Sequence, residues 1–269
     1  MRHLLSSALT PCLTLCLSLS LSAQVDCIGP DFNDDGEIGS SDLIVFLSYY
    51  GNDWPAVGEF TCGETITHHD YAYQTVQIGD QCWFAENCRY LPSVSPSSVG
   101  STTVPYYYVY NYQGTDVDEA KANSSYDNYG VLYNWPAAMD TGTCPSGWHT
   151  STDEEWMILE MFLGMSETEA NSSGYRGTDE GDQMKSISGW NNNGNGTNSS
   201  GLNVFGGGYR GYLAGSIFYG RFISGFLWSS SDVQSNTVWY RQLYFFTDDV
   251  NRDDNLSRQD GLSVRCVID

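Results

Sequence analysis

Residues 152–163 read T-D-E-E-W-M-I-L-E-M-F-L, and they predict the main helix of the fold. Thr152 and Glu155 match a capping box, in which the two residues satisfy each other's backbone N–H groups at a helix start. Apolar residues from Trp156 to Leu163 recur at helical spacing, and Gly164 then ends the pattern. The stretch therefore indicates an amphipathic helix of about three turns.

The segments around this helix predict short strands and long loops. A second, shorter helix is expected from Ser166 to Ala170, again with Ser and Glu three residues apart. Loops rich in Gly and Asn fill much of residues 190–226. Alternating or β-branched runs predict strands at residues 73–79, 81–85, 226–229, 238–246 and 262–268. This order predicts an α+β fold with two helices and short antiparallel strands.

Several short motifs follow one another in an order typical of a known family. They are Ile78-Gly-Asp-Gln-Cys-Trp-Phe-Ala-Glu-Asn87, Gly130-Val-Leu-Tyr-Asn-Trp, Cys144-Pro-Ser-Gly-Trp-His, Thr152-Asp-Glu-Glu-Trp, Lys185-Ser-x-Ser-Gly-Trp, Gly207-Gly-Tyr-Arg, Leu227-Trp-Ser-Ser-Ser, Trp239-Tyr-Arg and Gly261-Leu-Ser-Val-Arg-Cys. In this order they resemble the Fibrobacter succinogenes major paralogous domain. The resemblance implies a bacterial exported or surface domain, with a fold similar to C-type lectins and to the formylglycine-generating enzyme, and no established activity.

Residues 31–42 read D-F-N-D-D-G-E-I-G-S-S-D and match a calcium loop of the EF-hand type. The predicted ligands, at loop positions one, three, five, seven (through its carbonyl) and twelve, are Asp31, Asn33, Asp35, Glu37 and Asp42. With the apolar residues that follow, the loop resembles one half of a dockerin. A cohesin-binding dockerin carries two such repeats and only one is found, so we expect calcium as a cofactor but not cohesin docking.

The first residues and the charge indicate an exported protein. Arg2 and His3 precede an apolar run from Leu4 to Leu21, which is typical of a signal peptide that is cleaved after Ala23. The expected organisation is a signal peptide (1–23), a dockerin-like calcium repeat (24–62) and the larger domain (63–269), with no membrane span. The net charge of −22 disfavours nucleic acid as a partner, because phosphate binding needs Lys and Arg.

Six cysteines follow the predicted cleavage site, and an even number in an exported chain favours disulfides. Their positions predict the pairs Cys27–Cys62, Cys82–Cys88 and Cys144–Cys266. Zinc is the alternative, but no Cys-x-x-Cys or paired-His spacing supports it.

The residues offer few catalytic groups. We expect His149 to make a structural hydrogen bond, and we expect the adjacent side chains of His68 and His69 to point apart. The acid pairs Asp248–Asp249 and Asp253–Asp254 remain open as glycosidase groups. A cleft with converging acids and a histidine would favour a secreted hydrolase or oxidase, whereas a flat aromatic face would favour binding.

The function that the sequence favours is non-catalytic recognition of a glycan or a surface protein. The calcium-binding sugar motifs of C-type lectins are missing, so sugar binding would use aromatic stacking and amide hydrogen bonds. The candidate ligand-binding residues are Asn192, Asn193, Tyr209, Tyr212, Tyr219 and Arg221. The tryptophans of the ordered motifs are expected mainly in the core: Trp135, Trp148, Trp156, Trp190, Trp228 and Trp239.

Overall fold

The computed structural model describes Ser40, Leu43, Ile44 and residues 60–212, 217–234 and 237–268. The chain divides into a unit of residues 1–59 and a larger unit of residues 60–269, whereas the sequence places this boundary after residue 62. Ser40, Leu43 and Ile44 are helical. The five predicted calcium ligands and Cys27 lie outside the described residues.

The larger unit is an α+β domain, as the sequence predicts. Its strands are β1 (Thr65–His68), β2 (Tyr71–Ile78), β3 (Gln81–Phe84), β4 (Tyr107–Tyr108), β5 (Leu132–Tyr133), β6 (His149–Thr150), β7 (Gly174–Arg176), β8 (Gly207–Arg210), β9 (Phe218–Arg221), β10 (Ser224–Gln234), β11 (Thr237–Tyr244), β12 (Val250–Asp253) and β13 (Cys266–Ile268). Its helices are α1 (Val117–Lys121), α2 (Ser124–Tyr129), α3 (Trp135–Ala138), α4 (Asp153–Leu163), α5 (Glu167–Ala170) and α6 (Glu180–Met184).

The domain is built on two larger β-sheets. A five-stranded sheet has the order β1-β2-β3-β13-β6, and a six-stranded sheet has the order β7-β12-β11-β10-β8-β9. A two-stranded sheet pairs β4 with β5. Between named strands of the described ranges, only β10 and β8 pair in parallel. The first and last strands of the domain therefore lie in the same sheet, and the six-stranded sheet is built from the second half of the chain.

Helix α4 forms where the capping box predicts it. Thr152 and Glu155 bond reciprocally, and Gly164 follows the last turn with a φ of 133°. The helix buries Trp156, whose ring lies 4.7 Å from that of Trp83 on β3. The helical spacing predicts Phe162 on the same apolar face, but its side chain is 64% exposed. The described helices other than α4 have four to six residues, too short for periodicity to reveal them.

A buried charge network joins α4 to the six-stranded sheet. Arg241 on β11 donates to Glu160 Oε1 (2.6 Å) and Asp153 Oδ1 (2.7 Å), and Arg252 on β12 donates to Asp153 Oδ2 (2.6 Å). Burial raises the pKa of Asp153, but the hydrogen bonds and charges of Arg252 and Arg241 outweigh it and hold this pKa below its usual value. Removing one partner of a buried ion pair leaves the other charge uncompensated. The network therefore links α4 tightly to β11 and β12.

The tryptophans of the ordered motifs divide into two groups. Four are buried, namely Trp148, Trp156, Trp190 and Trp228. Trp135 and Trp239 are half-buried, and each carries a guanidinium over its ring, from Arg258 at 4.2 Å and from Arg252 at 3.6 Å. The prediction that these residues are core is therefore right for four of the six.

The disulfides correct part of the sequence prediction. Cys144 and Cys266 form a disulfide as predicted, with Cα atoms 5.8 Å apart. Cys62 pairs with Cys82, so the predicted pairs Cys27–Cys62 and Cys82–Cys88 are wrong. Gly63 N donates to Thr75 Oγ1 (2.9 Å), which holds the entry to β1 against the β2–β3 hairpin and brings Cys62 to Cys82. Cys88 is a buried free thiol.

Candidate functional site

One row of side chains crosses the whole six-stranded sheet. Tyr175 on β7 lies opposite Asn251 on β12, which lies opposite Gln242 on β11, and Gln242 lies opposite Phe226 on β10. Residues that face each other across neighbouring strands point to the same side of the sheet. These four side chains therefore form the first part of one continuous row.

The remaining strands extend the row. Gly225 on β10 pairs in parallel with Gly208 on β8, so the next residues, Phe226 and Tyr209, lie at the same level. Their ring centroids are 4.6 Å apart. Tyr209 lies opposite Tyr219 on β9, with ring centroids 5.7 Å apart. We call the six residues Tyr175, Asn251, Gln242, Phe226, Tyr209 and Tyr219 the cross-sheet row.

Hydrogen bonds hold the amides in the middle of the row. Asn251 Nδ2 donates to Gln242 Oε1 (3.2 Å), and Gln242 Nε2 donates to Ser224 Oγ (3.2 Å). Tyr175 is 50% exposed, Asn251 and Phe226 are 5% and 8% exposed, and the other three are half-buried. Five interstrand steps of about 4.8 Å make the row roughly 24 Å long. The result is an ordered and partly exposed strip with aromatic rings at both ends.

Carboxylates lie near the rings. Burial and then the charge of Asp249 raise the pKa of Tyr175, and burial and then Asp260 raise the pKa of Tyr209. The phenols therefore stay neutral and keep their O–H donors at physiological pH. Asp260 is itself buried and interacts with Arg210, so its charge is partly compensated.

A family model describes most of this domain. The model of the Fibrobacter succinogenes major domain matches residues 76–268. The chain belongs to this family. No curated protein and no solved structure matches the chain. Every residue of the cross-sheet row lies inside the Fibrobacter succinogenes major domain.

The structure brings together two of the six ligand-binding residues that the sequence suggests. Tyr209 and Tyr219 are neighbours in the row, whereas Arg221 lies over the ring of Tyr110, with its Cζ 5.2 Å from the ring centroid. Tyr212 is exposed, and its backbone N donates to Asp260 Oδ1 (2.7 Å). The side chains of Arg221 and Tyr212 lie outside the row.

Asn192 and Asn193 also lie outside the row, on a short 3₁₀ turn (Asn191–Asn193) of this Fibrobacter succinogenes major domain. Both are exposed, and both have positive φ values, 51° and 61°. Asn191 N donates to Phe222 O (2.8 Å), which joins this turn to the β9–β10 connection. The two amides therefore lie near the β9 end of the sheet.

Sequence reasoning missed Tyr175, Phe226, Gln242 and Asn251. The one available signal was the alternation of Tyr240, Gln242 and Tyr244 along β11, which places polar-aromatic side chains on one face. The registers that align six separate strands have no signature in any single segment.

The catalytic candidates have structural partners. His149 Nε2 lies 2.6 Å from Glu155 Oε1, and Glu155 Oε2 accepts from Thr152 N (2.6 Å), so His149 makes the structural hydrogen bond expected of it. Burial raises the pKa of Glu155, but hydrogen bonds from His149 and Thr152 outweigh it and the pKa is lowered.

One carboxylate of each open acid pair has a partner. Asp248 forms an ion pair with Lys185 (3.4 Å), and Asp253 accepts from Asp254 N (2.8 Å). Within the described ranges, no group of three or more His, Cys, Asp or Glu side chains could hold a metal ion. No helix in those ranges has the length and apolarity that a bilayer crossing requires.

The two adjacent histidines differ from expectation. His69 turns into the left-handed region with a φ of 46°, so the rings of His68 and His69 lie together, with centroids 4.1 Å apart. His69 stacks on Tyr90 at 4.3 Å, and His68 Nε2 lies 2.8 Å from Gly142 O. The expectation that the side chains point apart assumed an extended backbone, and the turn after β1 removes that condition.

Proposed function

We propose that the larger domain is a non-catalytic carbohydrate-recognition module and that the cross-sheet row is its binding surface. The single observation that carries this proposal is the alignment of four aromatic rings and two amides at one level across six strands. Such a strip is long and has exposed or half-buried rings at both ends, which suits a glycan chain rather than a small buried substrate.

The chemistry of the row supports a neutral glycan. Aromatic rings pack against the C–H faces of sugar rings, and side-chain amides donate to and accept from hydroxyl groups. The formal net charge of −22 disfavours sulfated or uronic-acid polymers. The ligand class is therefore an extended, uncharged polysaccharide.

The same proposal extends to the setting of the domain. We infer that the protein is exported, that the larger domain has a C-type-lectin-like fold, and that the dockerin-like repeat binds calcium through Asp31, Asn33, Asp35, Glu37 and Asp42. The support is the sequence: the apolar leader, the ordered motifs and the spacing of the loop ligands.

Sedimentation with insoluble neutral polysaccharides tests the binding surface, with the full chain and two matched variants. Tyr175→Ala removes an exposed ring of the row, whereas Tyr212→Ala removes an exposed ring outside it. The first should weaken binding about two- to tenfold, which is the range for one aromatic contact, and the second should leave binding unchanged.

Two results would contradict the proposal. Equal effects of both variants would show that the row is not the surface. Release of soluble sugar from the polysaccharide would favour the alternative function, a secreted hydrolase or oxidase.

A further inference from the structure

A pocket of about 370 Å³ opens elsewhere on the larger domain, and it shares no residue with the cross-sheet row. Three chain segments form its walls: residues 85–89 after β3, residues 127–129 at the end of α2, and the loop of residues 198–205. Gln74 on β2 adds to the first wall. Bringing three distant segments to one pocket requires specific connections between them.

Arg265 connects the first wall to the loop. Its guanidinium is fully buried and donates to Asn87 Oδ1 (3.0 Å) and Phe84 O (2.9 Å) on one side. On the other side it donates to Leu202 O and, at 3.1 Å, to Asn203 O. The guanidinium has no carboxylate hydrogen-bond partner within the described residues. Burial lowers the pKa of Arg265 to about 9, and the charge of Glu86 offsets this only in part. Burying this charge costs free energy, and the charge lies where the two walls meet.

Asn87 and Arg89 connect the first wall to α2. Asn87 Nδ2 donates to Tyr129 O (2.9 Å), and Arg89 donates to Tyr126 O (2.6 Å) and Asp127 O (2.9 Å). Arg89 also donates to Glu86 Oε2 (3.3 Å). These contacts hold all three walls before any ligand arrives, and such preorganisation is what a binding site requires.

The loop itself has an unusual backbone. Asn198, Gly201 and Asn203 have φ values of 51°, 76° and 55°, all in the left-handed region. Asn198 Oδ1 accepts from Asn203 N (2.7 Å), which fixes the turn. A Cβ on Gly201 would lie 2.7 Å from Val76 Cγ2, so only glycine fits there. The wall that this loop forms therefore has a specific, fixed shape.

Three side-chain amides in the pocket have no hydrogen bond within the described residues. They belong to Gln74, Asn128 and Asn203. Tyr129 and Phe205 add an aromatic side, with ring centroids 6.5 Å apart. Amides that line a pocket beside rings are the groups that bind vicinal hydroxyls and the C–H face of one sugar.

The charged residues that line the pocket disfavour an anionic ligand. Arg89 uses three of its five N–H groups on protein acceptors, one of them the Glu86 carboxylate, and the Arg265 guanidinium is fully buried among protein acceptors. Among the charged residues that line the pocket, Asp127 is exposed and forms no ion pair in the described part of the chain, so it places a negative charge at the pocket. We propose that this pocket binds a single uncharged sugar residue or a similar polyol through Gln74, Asn128 and Asn203. It is a second site, independent of the proposed polysaccharide surface.

Calorimetric titration of the full chain with glucose, galactose, mannose and N-acetylglucosamine tests the proposal, with glucuronate and glucose 6-phosphate as anionic probes. At least one neutral sugar should bind, and the anionic probes should bind more weakly. Gln74→Ala and Asn128→Ala change exposed side chains, so both variants should fold. Each should weaken binding about two- to tenfold, which is the effect of losing one hydrogen bond.

Two control variants separate this pocket from the rest of the domain surface. Gln77→Ala removes an exposed amide from the same strand outside the pocket, and Tyr175→Ala removes a ring of the cross-sheet row; both should leave monosaccharide binding unchanged. The proposal is overturned if no neutral sugar binds, if the pocket variants bind as tightly as the parent, or if an anionic probe binds more tightly. Polysaccharide binding that persists in Gln74→Ala and Asn128→Ala would show that the pocket and the cross-sheet row bind independently, so each proposal is tested separately.

Discussion

At the scale of single residues, the two carboxylate oxygens of Glu155 make two different structural contacts. It closes the capping box of α4 through Thr152, and it pairs with His149 through its other oxygen. Glu169 occupies the same position in the capping box of α5, bonds Ser166 and is exposed. The comparison between these two glutamates isolates the contribution of the histidine and of burial.

We expect Glu155→Gln to destabilise the domain by about 1 to 2 kcal/mol at pH 7, because a charge-assisted hydrogen bond is lost. The pKa of Glu155 is lowered in the folded state, so its contribution is present above the ordinary value of 4.5 and is lost as the pH falls through the folded value. Urea unfolding at pH 7 and pH 3 checks this. Glu169→Gln should change stability less, and a stability difference between the parent and the Glu155→Gln variant that does not shrink from pH 7 to pH 3 would contradict the assignment.

The predicted calcium loop makes a second residue-scale prediction. Replacing Asp42 by Ala removes the closing ligand and should abolish calcium binding, whereas Asp34→Ala changes a side chain that the loop pattern directs outward. Asp34→Ala should alter affinity only through screened charge. Calorimetry with calcium distinguishes the two, and equal damage from both changes would mean that the loop register is wrong.

At the scale of elements, two disulfides hold the five-stranded sheet. Cys62–Cys82 ties the entry of β1 to β3 and closes 20 residues, while Cys144–Cys266 ties the segment before β6 to β13 and closes 122 residues. In the chain-entropy model the shorter loop contributes about 3 kcal/mol and the longer one about 4 to 5 kcal/mol.

We therefore expect Cys144→Ser with Cys266→Ser to destabilise the domain more than Cys62→Ser with Cys82→Ser does. Denaturant unfolding of the two double variants measures the difference, which should be about 1 to 2 kcal/mol. Peptide mapping of the parent protein under non-reducing conditions should recover Cys62 joined to Cys82. Recovery of Cys82 joined to Cys88 would support the pairing expected from sequence instead.

The elements that could be predicted from sequence are those with local causes. The capping boxes of α4 and α5 and the β2–β3 hairpin depend on residues a few positions apart, and each formed where expected. The Cys62–Cys82 pair depends on how β1 folds back onto β2, and the cross-sheet row depends on five strand registers. Tyr175 and Tyr219 are 44 residues apart in the chain, and nothing local places them at one level.

At the scale of the whole molecule, the two units are expected to respond differently to chelation. The predicted calcium ligands all lie in residues 31–42, and the larger domain has its own core and both described disulfides. EDTA should therefore melt the first unit and leave the transition of the larger domain in place. Calorimetric scans with and without chelator test this. One transition that shifts as a whole on chelation would show that the units depend on each other.

The buried thiol of Cys88 can report local opening of the larger domain. Its thiol is fully buried and donates to Thr143 O (2.9 Å), and burial raises its pKa. Since the thiolate is the reactive form, an alkylating reagent can reach it only when the surrounding core opens. In a Cys27→Ser background, the rate at which Cys88 is modified under native conditions would report how often the core around it opens.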